Sequence, residues 1–129
     1  MQKNNFITRY YFNKDISKSG RILEKVKVGK VFISRLTIKS KQMTGNYYHK
    51  KTNTIIMVEK GKVQMKFVQV ESGEKKEMTL KSGSDIIHVP PFTAYARRNI
   101  GTQPVVLIIF SDQPLRSGDD YPYDVYPVK

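Results

Sequence analysis

Residues 44–54 read TGNYYHKKTNT and lead into the apolar run IIMV, which ends at Glu59, Lys60 and Gly61. One of the two histidines of the chain, His49, follows two tyrosines here and precedes two lysines. An apolar, β-branched run that closes on a glycine is typical of a strand that turns into a hairpin. The fold depends on what surrounds this hairpin, and the function depends on what His49 does.

Outward from this stretch the chain is a series of short β-rich segments separated by turn residues. Residues 62–70 alternate in polarity, which predicts a strand with Val63, Met65 and Phe67 on one face. Further strands are predicted at residues 31–38, 54–58, 75–80, 86–89 and 105–110. The 3.6-residue period of a helix is not sustained beyond a turn or two. Short strands at this spacing predict a single all-β domain, a sandwich or barrel.

Length and composition exclude several classes of protein. A chain of 129 residues is long enough for one core, and it contains no cysteine for a disulfide, a thiolate metal site or a thiol nucleophile. The longest apolar run, residues 105–110, is far shorter than the roughly 20 residues that span a bilayer. The first residues lack the apolar core of a signal peptide. We therefore expect a cytoplasmic protein with no membrane partner.

The net charge of +12, from 23 Lys and Arg against 11 Asp and Glu, attracts anionic partners. The lysines are spread along the chain, however, and form no basic stripe or nucleic-acid-binding motif. We therefore expect most of the charge to be solvated surface, with a few cations placed for a small anionic ligand. Nucleic acid is not expected as a partner.

Two groups of residues have a specific spacing. The first runs from residue 45 to residue 61 and places Tyr47, His49, Thr54 and Gly61 at intervals of two, five and seven residues. The second places Pro90, Phe92, Tyr95 and Asn99 at intervals of two, three and four. These are the spacings of the two cupin motifs, which normally read His-x-His with a Glu, and Pro-x-Gly-x-x-His-x-x-x-Asn. The chain resembles a single-domain cupin, an all-β double-stranded β-helix or jelly-roll barrel.

The resemblance extends over about residues 28–126. It implies a barrel formed by residues 28–112 and an extended tail, residues 113–129, packed on that barrel. Residues 1–27 are expected as an arm or strand, which can be exchanged between the subunits of a homodimer.

The residues around the first motif narrow the resemblance. Residues 33–35 (ISR) and 45–52 (GNYYHKKT) are similar to the C-terminal cupin domains of capsular-polysaccharide enzymes, which epimerise a nucleotide-linked 4-keto sugar. The run HKK at 49–51 also resembles nucleotide-sugar 3,4-ketoisomerases. The resemblance implies an epimerase or isomerase of surface-polysaccharide synthesis, with a nucleotide-sugar as its small-molecule ligand.

The positions where such cupins hold a metal carry Tyr47, His49, Thr54 and Tyr95 here. A divalent transition metal prefers three or four imidazole, carboxylate or thiolate ligands, and this set offers one imidazole. We therefore predict that the site holds no metal and that the protein needs no cofactor.

Proton transfer next to a carbonyl needs a base, an acid and a donor for the enolate oxygen. His49 is the candidate base, and Tyr95 or Tyr47 the candidate acid or enolate donor. Alternation along a strand puts Tyr47, His49 and Lys51 on one face, and likewise Tyr95 and Arg97. The candidates for contact with the diphosphate are the cations Arg35, Lys51 and Arg97.

Three alternatives remain open. His49 can be an interior histidine satisfied by neighbouring hydroxyls, in a cupin that binds a sugar or nucleotide-sugar as a sensor or accessory subunit without catalysis. The chain can also be a degenerate metal cupin that still binds a metal weakly through His49. Nucleic-acid binding is supported by charge alone.

Overall fold

The computed structural model describes residues 6–16, 19–83, 85–114 and 118–126. This part of the chain contains eleven β-strands, which are numbered in chain order: β1 Asn13–Asp15, β2 Arg21–Val28, β3 Val31–Ile38, β4 Met43–Tyr48, β5 Thr54–Lys60, β6 Lys62–Gln69, β7 Lys75–Lys81, β8 Ile86–Val89, β9 Thr93–Arg98, β10 Val105–Ser111 and β11 Tyr121–Pro122. No helix among these residues is long and apolar enough to cross a membrane.

The strands form two sheets. The six-stranded sheet has the order β1-β2-β3-β10-β5-β8, and the five-stranded sheet has the order β11-β4-β9-β6-β7. All of the strand pairs are antiparallel, and the chain crosses between the sheets several times, as in a jelly roll. The prediction of a single all-β jelly-roll domain is confirmed.

The core lies between the two sheets because successive side chains of a strand point to opposite faces. In β6 the predicted inner face, Val63, Met65 and Phe67, is buried. These three residues belong to the main hydrophobic core. Its other buried members come from the inner faces of other strands: Leu23, Leu36, Ile38, Ile56, Val58, Leu80, Val89, Tyr95, Val105, Leu107 and Ile109.

The predicted strand positions agree with the structure in most of the barrel. The strands at residues 31–38 and 86–89 have the predicted bounds, and those that begin at residues 54, 75 and 105 are one or two residues longer. β2 lies mostly in the segment expected as an arm or strand, and it pairs along its whole length with β3. The sheet therefore begins before residue 28. Exchange of the N-terminal segment between the subunits of a homodimer stays a prediction.

A β-bulge in β4 decides which side chains enter the barrel. The register between β4 and β9 shifts between Gly45 and Tyr47, so that Asn46 is the extra residue. Asn46 has a φ of +67°, in the left-handed region that asparagine tolerates better than most residues. Because a one-residue insertion reverses the alternation, Tyr47 and His49 face the interior after the bulge.

The glycine beside the bulge allows the two strands to approach closely. Gly45 has a φ of +114°, and a Cβ atom there would lie 2.7 Å from the Cα of Ala96 and 2.7 Å from the carbonyl oxygen of Tyr95. Neither of these backbone atoms can move aside without breaking the sheet. This position therefore requires glycine.

The same bulge holds the C-terminal tail on the outer face of the second sheet. The Asn46 side chain accepts hydrogen bonds from the backbone N–H groups of Val125 (3.0 Å) and Tyr126 (2.9 Å), and its Nδ2 donates to the Tyr126 carbonyl (3.2 Å). Val125 and Tyr126 are buried in a second cluster with Ala94 and Ala96, which face outward from β9. β9 is therefore covered on both faces.

Replacing Gly45 with alanine should destabilise the fold by about 3 kcal/mol, because backbone strain at this φ adds to a clash with rigid backbone atoms. The matched control is Gly29→Ala, since Gly29 also has a positive φ (+62°) but has open space around the added Cβ. That variant should lose only about 1 kcal/mol. Urea unfolding measures both. Equal losses in the two variants would contradict a close-approach role for Gly45.

Candidate active site

A cavity of about 480 Å³ opens between the two sheets, beside the bulge. Its floor is apolar, from Leu23, Leu36 and Ile109, and its remaining walls are mostly polar. These walls are formed by Ser19, Arg21, Met43, Thr44, Gly45, Asn46, Tyr47, Arg97, Asp120 and Pro122. Two guanidinium groups and one carboxylate make the walls net positive, which suits an anionic ligand.

Behind the Tyr47 wall lies a cluster of three rings, Tyr47, His49 and Tyr95. The ring centroids are 5.3 Å apart for Tyr47 and His49, 5.2 Å for Tyr47 and Tyr95, and 5.8 Å for His49 and Tyr95. The structure thus brings together the three residues that the sequence predicted as catalytic. Only Tyr47 lines the cavity, because His49 is 3% exposed and Tyr95 is fully buried.

The hydrogen bonds of His49 define its tautomer. Its Nδ1 lies 2.8 Å from the backbone oxygen of Asp119 and 3.1 Å from a carboxylate oxygen of Asp120. Both of these atoms are acceptors, so Nδ1 carries a proton. On the other side of the ring, Nε2 lies 3.0 Å from the Tyr95 hydroxyl. In a neutral imidazole, Nε2 accepts the hydrogen bond that this phenol donates.

The phenol of Tyr95 is kept protonated by its surroundings. Burial raises the pKa of Tyr95 well above its usual value, the phenol of Tyr47 raises it further, and the Arg97 guanidinium lowers it in part. At neutral pH, Tyr95 is therefore a hydrogen-bond donor to His49.

Arg97 is a buried cation beside these phenols. It is 2% exposed, its Cζ lies 4.8 Å from the centre of the Tyr95 ring, and its Nη1 donates to Thr44 Oγ1 (3.3 Å). Burial lowers its pKa, but the phenols of Tyr47 and Tyr95 outweigh this effect and raise it. Nε and Nη2 find no hydrogen-bond partner among the described residues.

Two acidic residues that contact His49 were not predicted. Asp119 and Asp120 lie about 70 positions after His49 in the chain, and only the path of the tail brings them to it. The Asp119 carboxylate also accepts hydrogen bonds from the backbone N–H groups of Lys50 (3.1 Å) and Lys51 (3.0 Å) and from the Thr52 hydroxyl (2.7 Å). The acidic tail was visible in the sequence, but nothing local indicated its target.

The other predicted cations lie elsewhere. Arg35 faces away from the barrel interior, where its guanidinium pairs with the Glu24 carboxylate (3.0 and 3.2 Å) and stacks on Phe12. The expected shared face of Lys51 with Tyr47 is wrong, because β4 ends at Tyr48 and Lys51 is exposed in the loop that follows. Of the three predicted cations, only Arg97 lines the cavity. A further arginine that was not predicted, Arg21, lines it as well.

The positions that correspond to cupin metal ligands do not form a good donor set. Besides the tyrosines, they offer His49, with both of its nitrogens in hydrogen bonds, and the buried hydroxyl of Thr54. No group of three or more histidine, cysteine, aspartate or glutamate side chains suited to a metal occurs within the described ranges. A divalent metal therefore does not fit these residues as they are arranged.

Residues 15–121 match the protein family described as the polysaccharide biosynthesis C-terminal domain. No curated protein matches the chain. Among solved structures, CapF, a capsular polysaccharide assembling protein from Staphylococcus aureus, is similar with a TM-score of 0.75 and 18% identity over 92% of this chain and 33% of that chain. Another CapF structure contains the inhibitor 3-isopropenyl-tropolone, with the same TM-score and identity over 92% of this chain and 35% of that chain.

An oxalate decarboxylase from Lactobacillus farciminis is similar with a TM-score of 0.74 and 12% identity, over 86% of this chain and 33% of that chain. At these identities the structures show the fold, which is that of a cupin barrel. The chain spans about a third of the length of the CapF proteins.

Asp119→Asn should lower the free energy of unfolding by about 1 kcal/mol at pH 7. The partly exposed carboxylate loses its charge, which weakens its hydrogen bonds to the loop of residues 50–52. Burial raises the pKa of Asp119. Hydrogen bonds from Thr52, Lys50 and Lys51 lower it by more than burial raises it, so that the pKa lies below the usual 3.8. A depressed pKa contributes stability above 3.8, and this contribution disappears as the pH falls through the lower folded value.

The difference in unfolding free energy between wild type and Asp119→Asn should therefore narrow as the pH falls below 3.8. Urea unfolding at pH 7 and at pH 2.5 to 4 measures it, with the exposed Asp124→Asn as the control that should change little. A difference independent of pH would contradict the contribution of the charged carboxylate.

Proposed function

The chain belongs to the polysaccharide biosynthesis C-terminal domain family, and on that basis we propose that it epimerises or isomerises a nucleotide-linked 4-keto sugar in the synthesis of a surface polysaccharide. The reaction is proton transfer at the carbon next to the ketone, and it uses no metal. The similarity to CapF supports the polysaccharide context. The chemistry rests on the cavity and on the groups behind it.

The observation that carries the proposal is a series of groups from the tail to the cavity that can accept or donate protons. The Asp120 carboxylate lies 3.1 Å from His49, and His49 lies 3.0 Å from the Tyr95 hydroxyl. The Tyr95 ring in turn packs edge-on against Tyr47 at the cavity wall, with ring centroids 5.2 Å apart. A series of this kind can deliver a proton to His49 although the imidazole does not touch the ligand.

In the proposed step, the oxygen of Tyr47 takes the proton from the carbon next to the ketone. Tyr47 passes its own phenolic proton to the oxygen of Tyr95, and Tyr95 passes its proton to Nε2 of His49. The C–H electron pair becomes a carbon–carbon double bond, and the carbonyl π pair moves to oxygen, which gives an enolate. The resulting imidazolium is stabilised by the carboxylate of Asp120 and the backbone oxygen of Asp119.

Return of a proton to the same carbon from the opposite side of the sugar ring inverts that centre. For isomerisation, the proton of the hydroxyl on C3 also moves to the C4 oxygen, and a proton is then returned to C4, which leaves the ketone at C3. In both cases solvent protons enter the product, since the protons of phenols and imidazole exchange with water.

A second candidate function is binding without catalysis, as a sensor or accessory subunit for a sugar or nucleotide-sugar. The observation in its favour is that both nitrogens of His49 are hydrogen-bonded and that the ring is 3% exposed. A histidine placed in this way can serve as a purely structural residue of a ligand pocket.

Deuterium uptake separates the two functions. Wild-type protein incubated in deuterated water with a uridine or thymidine diphosphate-linked 4-keto-6-deoxy sugar should place deuterium next to the ketone, as followed by NMR. Tyr47→Phe removes one hydroxyl from the cavity wall and should slow exchange by about 100-fold or more. His49→Gln should slow it similarly, because the proton acceptor is lost.

The matched control is His88→Gln, since His88 is exposed and bonds only to the Asn53 side chain among the partners described. Its exchange rate should stay at the wild-type value. Binding of the sugars by wild-type protein without any exchange would support the binding function and overturn the enzymatic one. Neither binding nor exchange would overturn both.

A further inference from the structure

We propose that the Nε–Nη2 edge of Arg97 holds the oxygen on C4 of the sugar, first as a ketone and then as an enolate, and does not bind the diphosphate. This inference rests on the proposed function and assigns a task to a residue expected to contact the diphosphate.

The orientation of Arg97 leaves one edge of the guanidinium available. Arg97 lies opposite Thr44 in the pairing of β4 with β9, and the hydrogen bond from Nη1 to the Thr44 hydroxyl fixes one side of the plane. Nε and Nη2 share the other side, where their N–H bonds are parallel and suit an oxygen ligand. Neither atom makes a hydrogen bond of good geometry in the described part of the chain. The phenol oxygens of Tyr47 and Tyr95 lie near the guanidinium and raise its pKa, but they leave this edge without a well-aligned acceptor.

The burial of this edge indicates that a ligand completes it. A charged group with unpaired donors in the interior is costly unless an anion or another acceptor meets it. Nε and Nη2 are shielded from solvent, so a ligand oxygen reaches them only when part of the cavity wall moves.

The geometry of a sugar ring then separates the ketone from the diphosphate. C3 and C4 are bonded to each other, whereas C1, which carries the diphosphate, lies across the six-membered ring from C4. In the proposed pose, Tyr47 acts at C3 and the C4 oxygen points to Arg97, whose guanidinium packs on the Tyr95 ring beside Tyr47. The diphosphate is then directed away from Arg97, toward the cavity mouth.

The charge balance agrees with this position. Proton removal at C3 leaves one negative charge on the C4 oxygen and places one positive charge on His49. The permanently charged guanidinium faces the new oxyanion in a site with little water, where such an interaction is stronger than in solution.

The test compares exchange at C3 with binding of uridine and thymidine diphosphate, which carry the diphosphate but lack the 4-keto hexose. In Arg97→Gln and Arg97→Lys, the exchange rate at saturating substrate should fall by about 100- to 1000-fold. The dissociation constants of the two nucleotides should change less than about threefold, a shift smaller than one lost charged hydrogen bond would cause. Arg98→Gln is the matched control, because Arg98 lies on the outer face of β9 over the Tyr126 ring.

A loss of nucleotide affinity of about tenfold or more with unchanged exchange at saturation would overturn the assignment and leave the proposed function intact. Wild-type protein without exchange would overturn both. If the Arg97 variants do not fold, Thr44→Val supplies the test, because it removes the acceptor that orients the guanidinium and keeps the side-chain size. It should slow exchange by about tenfold without weakening nucleotide binding, and an unchanged rate would contradict the proposal.

Discussion

The close approach of β4 to β9 at Gly45, together with the bulge at Asn46, is the constraint on which the rest of the site depends. The approach is possible because no Cβ separates Gly45 from the backbone of residues 95 and 96. The bulge reverses the alternation, so that Tyr47 pairs with Tyr95 on the inside while Asn46 faces the tail. The same few atoms thus build the ring cluster on one face and anchor the tail on the other.

The anchored tail in turn completes the environment of His49. With Val125 and Tyr126 held by Asn46, the preceding residues place the backbone of Asp119 and the carboxylate of Asp120 against Nδ1. Metal-binding cupins orient their histidines through a metal, whereas here a carboxylate and a carbonyl on one side and a phenol on the other orient the ring. This arrangement is suited to moving a proton, provided that Tyr47 connects the buried phenol to a ligand in the cavity.

The fold was largely predictable because its information is local. Alternation in residues 31–38 and 62–69 and the turns after residues 60 and 81 specify strands and hairpins by themselves. β2 was harder to predict, since its sequence RILEKVKV is rich in charge and it lies in a sheet with one face partly exposed. The spacing of the two motifs placed Tyr47, His49 and Tyr95 together correctly.

The rest of the site depends on long-range geometry that no local pattern records. The contact of Asp120 with His49 closes a loop of about 70 residues and depends on the path of the tail. Arg35 was expected at the ligand because of the resemblance around it, yet its place on β3 directs it outward to Glu24. Lys51 was placed by counting alternate residues past the point where the strand ends.

A crystal structure of the protein with a uridine or thymidine diphosphate-linked sugar tests the central claim most directly. The account predicts the sugar ring in the cavity between Tyr47 and the apolar floor, with its C4 oxygen within hydrogen-bond distance of Arg97 and its diphosphate at the mouth. A sugar bound on another face of the barrel, or a metal ion between His49 and Tyr95, would contradict it.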